Sequence, residues 1–169
     1  NEIDFGFIGG AQIDKYGNMN STFIGDDYNK PFKRLAGTAG AVDIGVFAKT
    51  TVILMAHQKR RVVEFVDYLT TPGWMVKKWP EGTLVRREEL GMQGGPSCFI
   101  SSMGICKFND DDKIMYLDRY FPGVTPEQIK ANTGFDIDVS RATEADPILV
   151  DEIRILREEI DPLNVYKMR

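Results

Sequence analysis

Two glycine-rich stretches near the start of the chain carry the residue pattern best suited to chemistry. Gly9 and Gly10 interrupt an apolar run, and Gly37 and Gly40 bracket the start of a predicted helix. Glycine inside a strand often marks a bulge or a close approach by another backbone or a ligand. A helix that begins in a glycine turn points unpaired backbone N–H groups into open space. Such donors can hold a phosphate, a carboxylate or a thioester oxygen that gains negative charge during a reaction.

The polar residue that follows the first glycine pair can meet a ligand or support the turn. Gln12 comes shortly after Gly9 and Gly10, at the end of a predicted strand. Ligands of open α/β sheets bind beyond the carboxyl ends of the strands. Gln12 can therefore contact a substrate, or it can hydrogen-bond the neighbouring glycine turn, and the sequence leaves both alternatives open.

Strand and helix patterns surround both glycine stretches. The runs 5–13 and 19–24 are predicted strands, and the first is apolar almost throughout, which is typical of a strand buried on both faces of a sheet. The segment 40–47 is a short helix candidate, and 50–56 is β-rich and continuous, as an interior strand would be. This order of elements predicts an α/β fold with an open parallel or mixed sheet and flanking helices.

The second half of the chain contains further predicted strands and two helices. A helix begins at Thr125, where Thr is the N-cap, Pro follows it, and a Gln three residues on reaches back. The last predicted helix has one apolar face, because its apolar residues recur at steps of three and four. These residues are Leu149, Ile153, Leu156 and Ile160; the predicted strands are 62–69, 98–100, 104–108, 114–120 and 135–139, and 80–96 is a predicted loop.

Composition limits the class of protein. The chain has 169 residues and a formal net charge of −4, which predicts one domain over 1–169 and argues against a nucleic-acid binder. No apolar run approaches the length of about 20 residues that a membrane span needs. Cys98 and Cys106 are predicted to be free thiols in a reducing cytoplasm. His57 is the only histidine, and no cluster of ligand residues predicts a metal site.

Seven ordered motifs lie along nearly the whole chain. They are GGAQID at 9–14, GNMNST at 17–22, GTAGA at 37–41, HQKRR at 57–61, TPGW at 71–74, NTGFDIDVS at 132–140 and REEIDP at 157–162. Together they resemble the motifs of family I CoA-transferases, most of all those of the beta subunits of the glutaconate type. Because the resemblance covers nearly the whole chain, it is more specific than any single glycine pattern.

The resemblance implies a fold, a reaction and partners. It implies the CoA-transferase type of α/β fold, with the active site built between alpha and beta parts, and coenzyme A as a substrate rather than a permanently bound cofactor. The backbone N–H groups of Gly40 and Ala41 are expected to form an oxyanion hole. Residues expected to face CoA or substrate are Gly9, Gly10, Gln12, Gly37, Thr38 and Ala39.

The nucleophile of this family is a glutamate on the beta part, in a Ser-Glu-Asn-Gly-like or Glu-Ser-Gly-like motif. The sequence contains no such motif. The chain is therefore expected to be the C-terminal part of a beta subunit, with the glutamate on a preceding segment or another chain. Its expected partners are that segment, the alpha subunit and an acyl-CoA. The alternatives are a CoA-thioester hydrolase or decarboxylase of the same fold, or a noncatalytic assembly subunit.

Two local features complete these expectations. Many family members carry Gly-Ser-Gly-Gly-Ala where this chain has Gly-Thr-Ala-Gly-Ala, and Ala39 is expected to preserve the turn if its φ is negative. The basic run Lys59-Arg60-Arg61 follows an interior strand. A structural or interface role is favoured for this run over contact with CoA phosphates.

Overall fold

The computed structural model describes residues 3–78 and 80–165. Most of the strands in this part of the chain are short. In chain order the strands are β1 Phe5–Ile8, β2 Gln12–Asp14, β3 Met19–Asn20, β4 Phe23–Ile24, β5 Lys33–Arg34, β6 Thr50–Met55, β7 Val62–Val63, β8 Met75–Lys77, β9 Leu84–Arg86, β10 Pro96–Ser101, β11 Gly104–Phe108, β12 Met115–Tyr120 and β13 Thr143–Glu144.

A six-stranded mixed sheet is the largest layer, in the order β1-β6-β10-β11-β12-β13. The strands β1, β6 and β10 are parallel, β11 and β12 form an antiparallel meander with β10, and β13 runs parallel to β12. The predicted interior strand at 50–56 lies between β1 and β10, and the predicted meander is present. The mixed sheet with a helix packed on it confirms the predicted α/β class.

The predicted strand 5–13 is wrong in two respects. It breaks after Ile8, and the chain leaves the large sheet to enter a three-stranded sheet of order β3-β2-β7. At the break, a Cβ on Gly10 would lie 3.1 Å from the carbonyl oxygen of Asn20, so only glycine fits easily. The strand is also not buried on both faces, because β1 is an edge strand and Phe5 and Phe7 are 65% and 64% exposed.

Other predicted strands are shorter in the structure because side-chain hydrogen bonds, local or long-range, compete with the sheet ladder. The run 19–24 divides into β3 and β4, where the Asn20 side chain accepts from the amide of Thr22. Only Val62–Val63 of the run 62–69 is a strand, and 135–139 meets β12 through a single bridge at Asp138. The predicted loop 80–96 instead contains β9 and a 3-10 helix, Arg87–Leu90.

The helices in the described ranges are α1 Ala41–Phe47, α2 Pro126–Ala131 and α3 Val150–Ile155, which continues as a π-helical segment Leu156–Ile160. The helix α1 packs against β1, and a Cβ on Gly6 would lie 2.2 Å from a methyl carbon of Ile44, so glycine permits the contact. The predicted capping box of α2 is confirmed, since the Thr125 amide donates to Oε1 of Gln128 at 2.8 Å. Along α3 and its π-helical continuation, the apolar residues Val150, Ile155, Leu156 and Ile160 remain exposed.

The core lies between the large sheet, β2 and α2, and includes Ile13, Ile53, Phe99, Leu117 and Ile129. Both cysteines are free thiols, as predicted. Cys106 is paired in register with Phe99 and Cys98 with Lys107, so the two thiols project from opposite faces of the sheet. Burial raises the pKa of Cys106 to about 12, which makes this thiol a poor nucleophile. Among the described residues, no helix has both the length and the apolar content that crossing a lipid bilayer requires.

Candidate functional site

The predicted oxyanion turn is an exposed loop with two residues in the left-handed region. Gly37 has φ of 92° and Ala39 has φ of 41°, whereas Gly40 has φ of −87°. The condition of a negative φ at Ala39 is therefore not met. Glycine adopts this left-handed conformation without penalty, whereas alanine adopts it at a cost of about 1–2 kcal/mol. The turn thus keeps a glycine-type backbone shape despite the alanine.

Some amides of this turn already donate a hydrogen bond within the protein, whereas others have no acceptor. The Ala41 N–H donates to the Thr38 carbonyl at 2.9 Å, so the donor predicted at Ala41 is already engaged. Within residues 3–78 and 80–165, the amides of Thr38, Ala39 and Gly40 have no hydrogen-bond acceptor, and all three residues are exposed. A Cβ on Gly40 would meet no atom within 4 Å. The available donors are therefore those of residues 38–40, with open space beside Gly40.

The structure brings the two glycine stretches together through one intervening segment. The Ala11 amide, directly after Gly10, donates to the Asn20 carbonyl at 2.8 Å. The next residue, Ser21, accepts from the Gly37 amide at 2.9 Å and donates its hydroxyl to the Gly37 carbonyl at 2.8 Å. The sequence separates these glycines by more than twenty residues, and only the pairing of both stretches with residues 20–21 makes them neighbours.

Gln12 lies inside the protein and holds a loop. The residue is 4% exposed. Its Nε2 donates to Oδ1 of Asp67 at 3.0 Å, and its Oε1 accepts from Nδ2 of Asn20 at 2.8 Å and from the Asp67 amide at 3.1 Å. Of the two alternatives for this side chain, the observed contacts are those of a structural support. Contact between Gln12 and a substrate stays a prediction.

A buried carboxyl group anchors the turn after β2. Asp14 accepts hydrogen bonds from the amides of Tyr16 and Asn18 and from the Asn18 side chain at 2.9 Å. Asn18 in turn accepts from the amide of Gly73 at 2.7 Å, which ties the TPGW segment to this turn. Burial raises the pKa of Asp14 to about 6, against the lowering effect of these hydrogen bonds.

Sequence reasoning missed a buried arginine in the predicted loop. Arg87 is fully buried, and its guanidinium donates to the carbonyls of Gly45, Pro72, Gly73 and Gln93, with the shortest bond, to Gly45, at 2.7 Å. Gly45 lies in the last turn of α1, where carbonyls lack helical partners. Arg87 thereby links the helix behind the oxyanion turn to the TPGW segment. No periodic signal in 80–96 distinguishes this arginine from its neighbours.

The single histidine is a buried structural residue at the end of β6. His57 is 4% exposed, and its two ring nitrogens lie 3.0 Å from the hydroxyls of Ser101 and Thr133. Burial lowers the pKa of His57 to about 4, so the imidazole is neutral at pH 7. The hydroxyl partners fix its orientation between β10 and the end of α2.

A titration by NMR checks this environment, because the chain has only one histidine. We expect the His57 imidazole signal to titrate near pH 4 instead of near 6.5. The folded state binds its proton more weakly than the unfolded chain, so His57 lowers the free energy of unfolding as the pH falls from 6.5 towards 4. Between pH 7 and pH 5, His57 lowers the free energy of unfolding by about 2 kcal/mol.

Asp14 changes the free energy of unfolding with the opposite sign. Because its pKa is raised in the folded state, its stabilising contribution is lost as the pH rises from 3.8 to 6. The resonance of His57, rather than the overall stability, is therefore the decisive measurement. A midpoint above pH 6 would contradict the buried position of the ring.

One cavity of about 300 Å³ lies beside the glycine stretches and was not predicted. Ala11 follows Gly10, and Leu35 precedes Gly37 by two residues, so the cavity adjoins both stretches. The basic run Lys59-Arg60-Arg61 was the sequence signal that could have located it. Its lining consists of Ala11, Ile24, Phe32, Lys33, Leu35, Arg60 and Arg61. Among the described residues there is no group of three or more His, Cys, Asp or Glu side chains that could hold a metal ion.

Comparison with known proteins gives consistent matches. A family model described as Coenzyme A transferase matches residues 1–132. The B subunit of the glutaconate CoA-transferase of Acidaminococcus fermentans is 48% identical over 92% of this chain and 56% of its own length. The B subunit of the 3-oxoadipate CoA-transferase of Pseudomonas knackmussii is 38% identical over 80% of this chain and 50% of its own.

The fold agrees with these sequence matches. The crystal structure of glutaconate coenzyme A-transferase from Acidaminococcus fermentans superposes with a TM-score of 0.87 at 43% identity, over 98% of this chain and 61% of that one. The predicted CoA-transferase type of fold is confirmed. The chain spans about half the length of the curated relatives that it matches.

Proposed function

The chain belongs to the Coenzyme A transferase family, and from this premise we propose that it is part of an enzyme that transfers CoA between an acyl-CoA and a short mono- or dicarboxylic acid. The proposal rests above all on the exposed turn at residues 38–40, whose amides have no acceptor in the described structure. These amides are suited to an oxygen that gains negative charge as a thioester carbonyl is attacked.

The proposed reaction begins with a glutamate that lies outside this chain. Its carboxylate attacks the carbonyl carbon of the acyl-CoA, the electron pair moves onto the carbonyl oxygen, and CoA leaves as a thiolate to give a mixed anhydride. The thiolate then attacks the glutamyl carbonyl, which releases the first acid and forms a glutamyl-CoA thioester. The acceptor acid repeats the two steps in reverse and departs as the new acyl-CoA.

The role proposed for this chain is to stabilise the tetrahedral intermediates. The amide of Gly40, with that of Ala39 or Thr38, donates to the oxyanion as it forms. Arg87 and the Ser21–Gly37 pair hold the turn in place, so the donors need no reorganisation during the reaction. The Ala41 amide contributes by closing the turn onto Thr38 instead of by binding substrate.

The proposed partners follow from the missing nucleophile and from the names of the relatives. We propose that this chain acts as the C-terminal part of a beta subunit, together with the glutamate-bearing segment and an alpha subunit in the cytoplasm. Coenzyme A takes part as a substrate, with no cofactor bound permanently. The free thiols at Cys98 and Cys106 fit a reducing compartment.

Chemical trapping tests the proposal. The assembly that contains this chain is incubated with an acyl-CoA, reduced with borohydride and analysed by mass spectrometry, because borohydride converts a glutamyl-CoA thioester into a stable alcohol. We expect one modified glutamate, located outside residues 1–169. An assembly incubated with the free acid alone is the control and should show no modification.

Two results would overturn the proposal. Release of free CoA and free acid without a modified glutamate on any chain would indicate a thioester hydrolase. Absence of both turnover and modification in an assembly that includes an alpha subunit would indicate a noncatalytic role for this chain.

A further inference from the structure

Three cationic residues are among those that line the cavity beside the glycine stretches. Lys33, Arg60 and Arg61 line it, and in the described part of the chain none of the three lies within ion-pair distance of a carboxylate. The Nε groups of Arg60 and Arg61 both donate to Oε1 of Gln58, at 3.0 and 3.3 Å, which leaves the terminal nitrogens of both guanidiniums without an acceptor among the described residues. An anion would supply the missing acceptors.

The rest of the lining is apolar. Ala11, Ile24 and Leu35 contribute hydrocarbon surface, and Phe32 lines the cavity while being 90% exposed. A side chain of that size gains free energy when a ligand covers it. The lining therefore matches a small molecule with a hydrocarbon body and a charged end, and it fits a fully hydrated inorganic ion poorly.

The position of the cavity decides which part of an acyl-CoA could enter it. Leu35 and Gly37 are two residues apart, so their Cα atoms are separated by at most about 7 Å. The Leu35 amide is bound to the Thr22 carbonyl at 2.9 Å and the Gly37 amide to the Ser21 carbonyl, which fixes the two positions relative to each other. A thioester carbonyl at the turn would thus hold its acyl group next to the cavity. The nucleotide of CoA would lie at the far end of the pantetheine arm.

We propose that this cavity binds the distal carboxylate of a dicarboxylic acyl group, and that Arg60 and Arg61 determine the preference for diacids over monoacids. The inference rests on the proposed CoA-transferase function and adds the residues that select its acid. A guanidinium can bind a carboxylate through two parallel hydrogen bonds, which gives direction as well as charge. The volume of about 300 Å³ lies at the lower end of ligand pockets and suits a chain of a few carbons.

Paired substrates of equal chain length test this role. The enzyme assembly is prepared with Arg60→Met, Arg61→Met or both, and kcat/KM is measured with glutaryl-CoA and with pentanoyl-CoA. We expect the double variant to lower the ratio of kcat/KM for glutaryl-CoA to kcat/KM for pentanoyl-CoA about 100-fold. Pentanoyl-CoA has no distal carboxylate for the arginines to bind, so its kcat/KM should not depend on them. Lys59→Met is the matched control, since Lys59 is an exposed cation of the same run that does not line the cavity.

The outcomes separate the competing assignments. An equal loss for both substrates would overturn the proposal and place the cations on the CoA phosphates, and an unchanged ratio would overturn it as well. Arg60 is exposed, so Arg60→Met alone keeps the test valid if Arg61→Met impairs folding.

Binding of the free acids makes the test independent of turnover. Calorimetry on the same assemblies compares glutarate with pentanoate, and we expect the wild-type protein to bind glutarate more tightly and the double variant to lose that preference. If trapping fails but this preference is present, the proposed reaction is wrong and the diacid site remains. If trapping succeeds but wild type shows no preference for glutarate, the diacid site is wrong and the reaction remains.

Discussion

Gly40→Val is expected to lower kcat about 100-fold while the KM for acyl-CoA changes less than twofold. Gly40 has a negative φ of −87° and a Cβ there meets no atom within 4 Å, so the valine side chain enters open space without a steric clash. Its isopropyl group would occupy the open space beside the Gly40 amide and keep a developing oxyanion from the donors at 38–40. Loss of one oxyanion donor typically costs about 3 kcal/mol in the transition state, whereas binding of the rest of CoA is unaffected.

Ala36→Val is the matched control for this measurement. Ala36 is exposed and lies one residue before the glycine turn, so a similar side chain is added outside the site. We expect its kcat to stay within twofold of wild type. If Gly40→Val raises KM and leaves kcat unchanged, the turn contributes to ground-state binding only. If it changes neither, the amides of residues 38–40 take no part in the reaction.

Arg87→Met is expected to lower the free energy of unfolding by about 4 kcal/mol, a large part of the 5–15 kcal/mol that holds a typical domain together. Methionine approximates the length and volume of the arginine stem, so the change removes the charged group with little cavity formation. The carbonyls of Gly45, Pro72, Gly73 and Gln93 then lose the guanidinium that they share. Each buried acceptor without a donor costs free energy on the order of 1–3 kcal/mol.

Urea denaturation of the Arg87 variants provides the measurement. The midpoint should fall for Arg87→Met with an unchanged slope. The urea midpoint of Arg87→Lys should lie between those of Arg87→Met and wild type, because an ammonium group keeps the charge but cannot reach four carbonyls in different directions. Arg119→Met, at an exposed arginine whose nearest carboxylate is 3.9 Å away, should change stability by less than about 0.5 kcal/mol. A loss below about 1 kcal/mol for Arg87→Met would mean that water replaces the guanidinium.

The large sheet could be predicted because its signals are local. The run 50–56 is continuous and rich in β-branched residues, and Thr125 begins a capping box whose residues are three positions apart. Such patterns depend on neighbours within one turn or strand, so they survive in the structure. The predicted run 62–69 did not survive, because Asp67 is held by Gln12 from 55 residues away, and a long-range side-chain bond leaves no local signal.

The site shows the same division. The glycines at 37 and 40 and the family motifs pointed to a turn with free amides, and residues 38–40 have them. Which amides are free was decided by backbone geometry, since Ala41 donates to Thr38 and Ala39 adopts a positive φ. The sequence predicts that Gln12 contacts a substrate or supports the neighbouring turn. In the structure its buried side chain hydrogen-bonds to Asp67 and Asn20, as expected of a structural support.

Residue types at fixed short spacings were enough to predict the fold class, the family motifs and the position of the glycine turn. Long-range contacts, by contrast, bring the Arg87 guanidinium from a 3-10 helix to the carbonyl of Gly45 near the end of α1, join the two glycine stretches through residues 20–21, and place Lys33, Arg60 and Arg61 around one cavity. These arrangements depend on contacts between segments far apart in the chain. Their geometry follows from packing and from the need to satisfy buried polar groups, which no local spacing records.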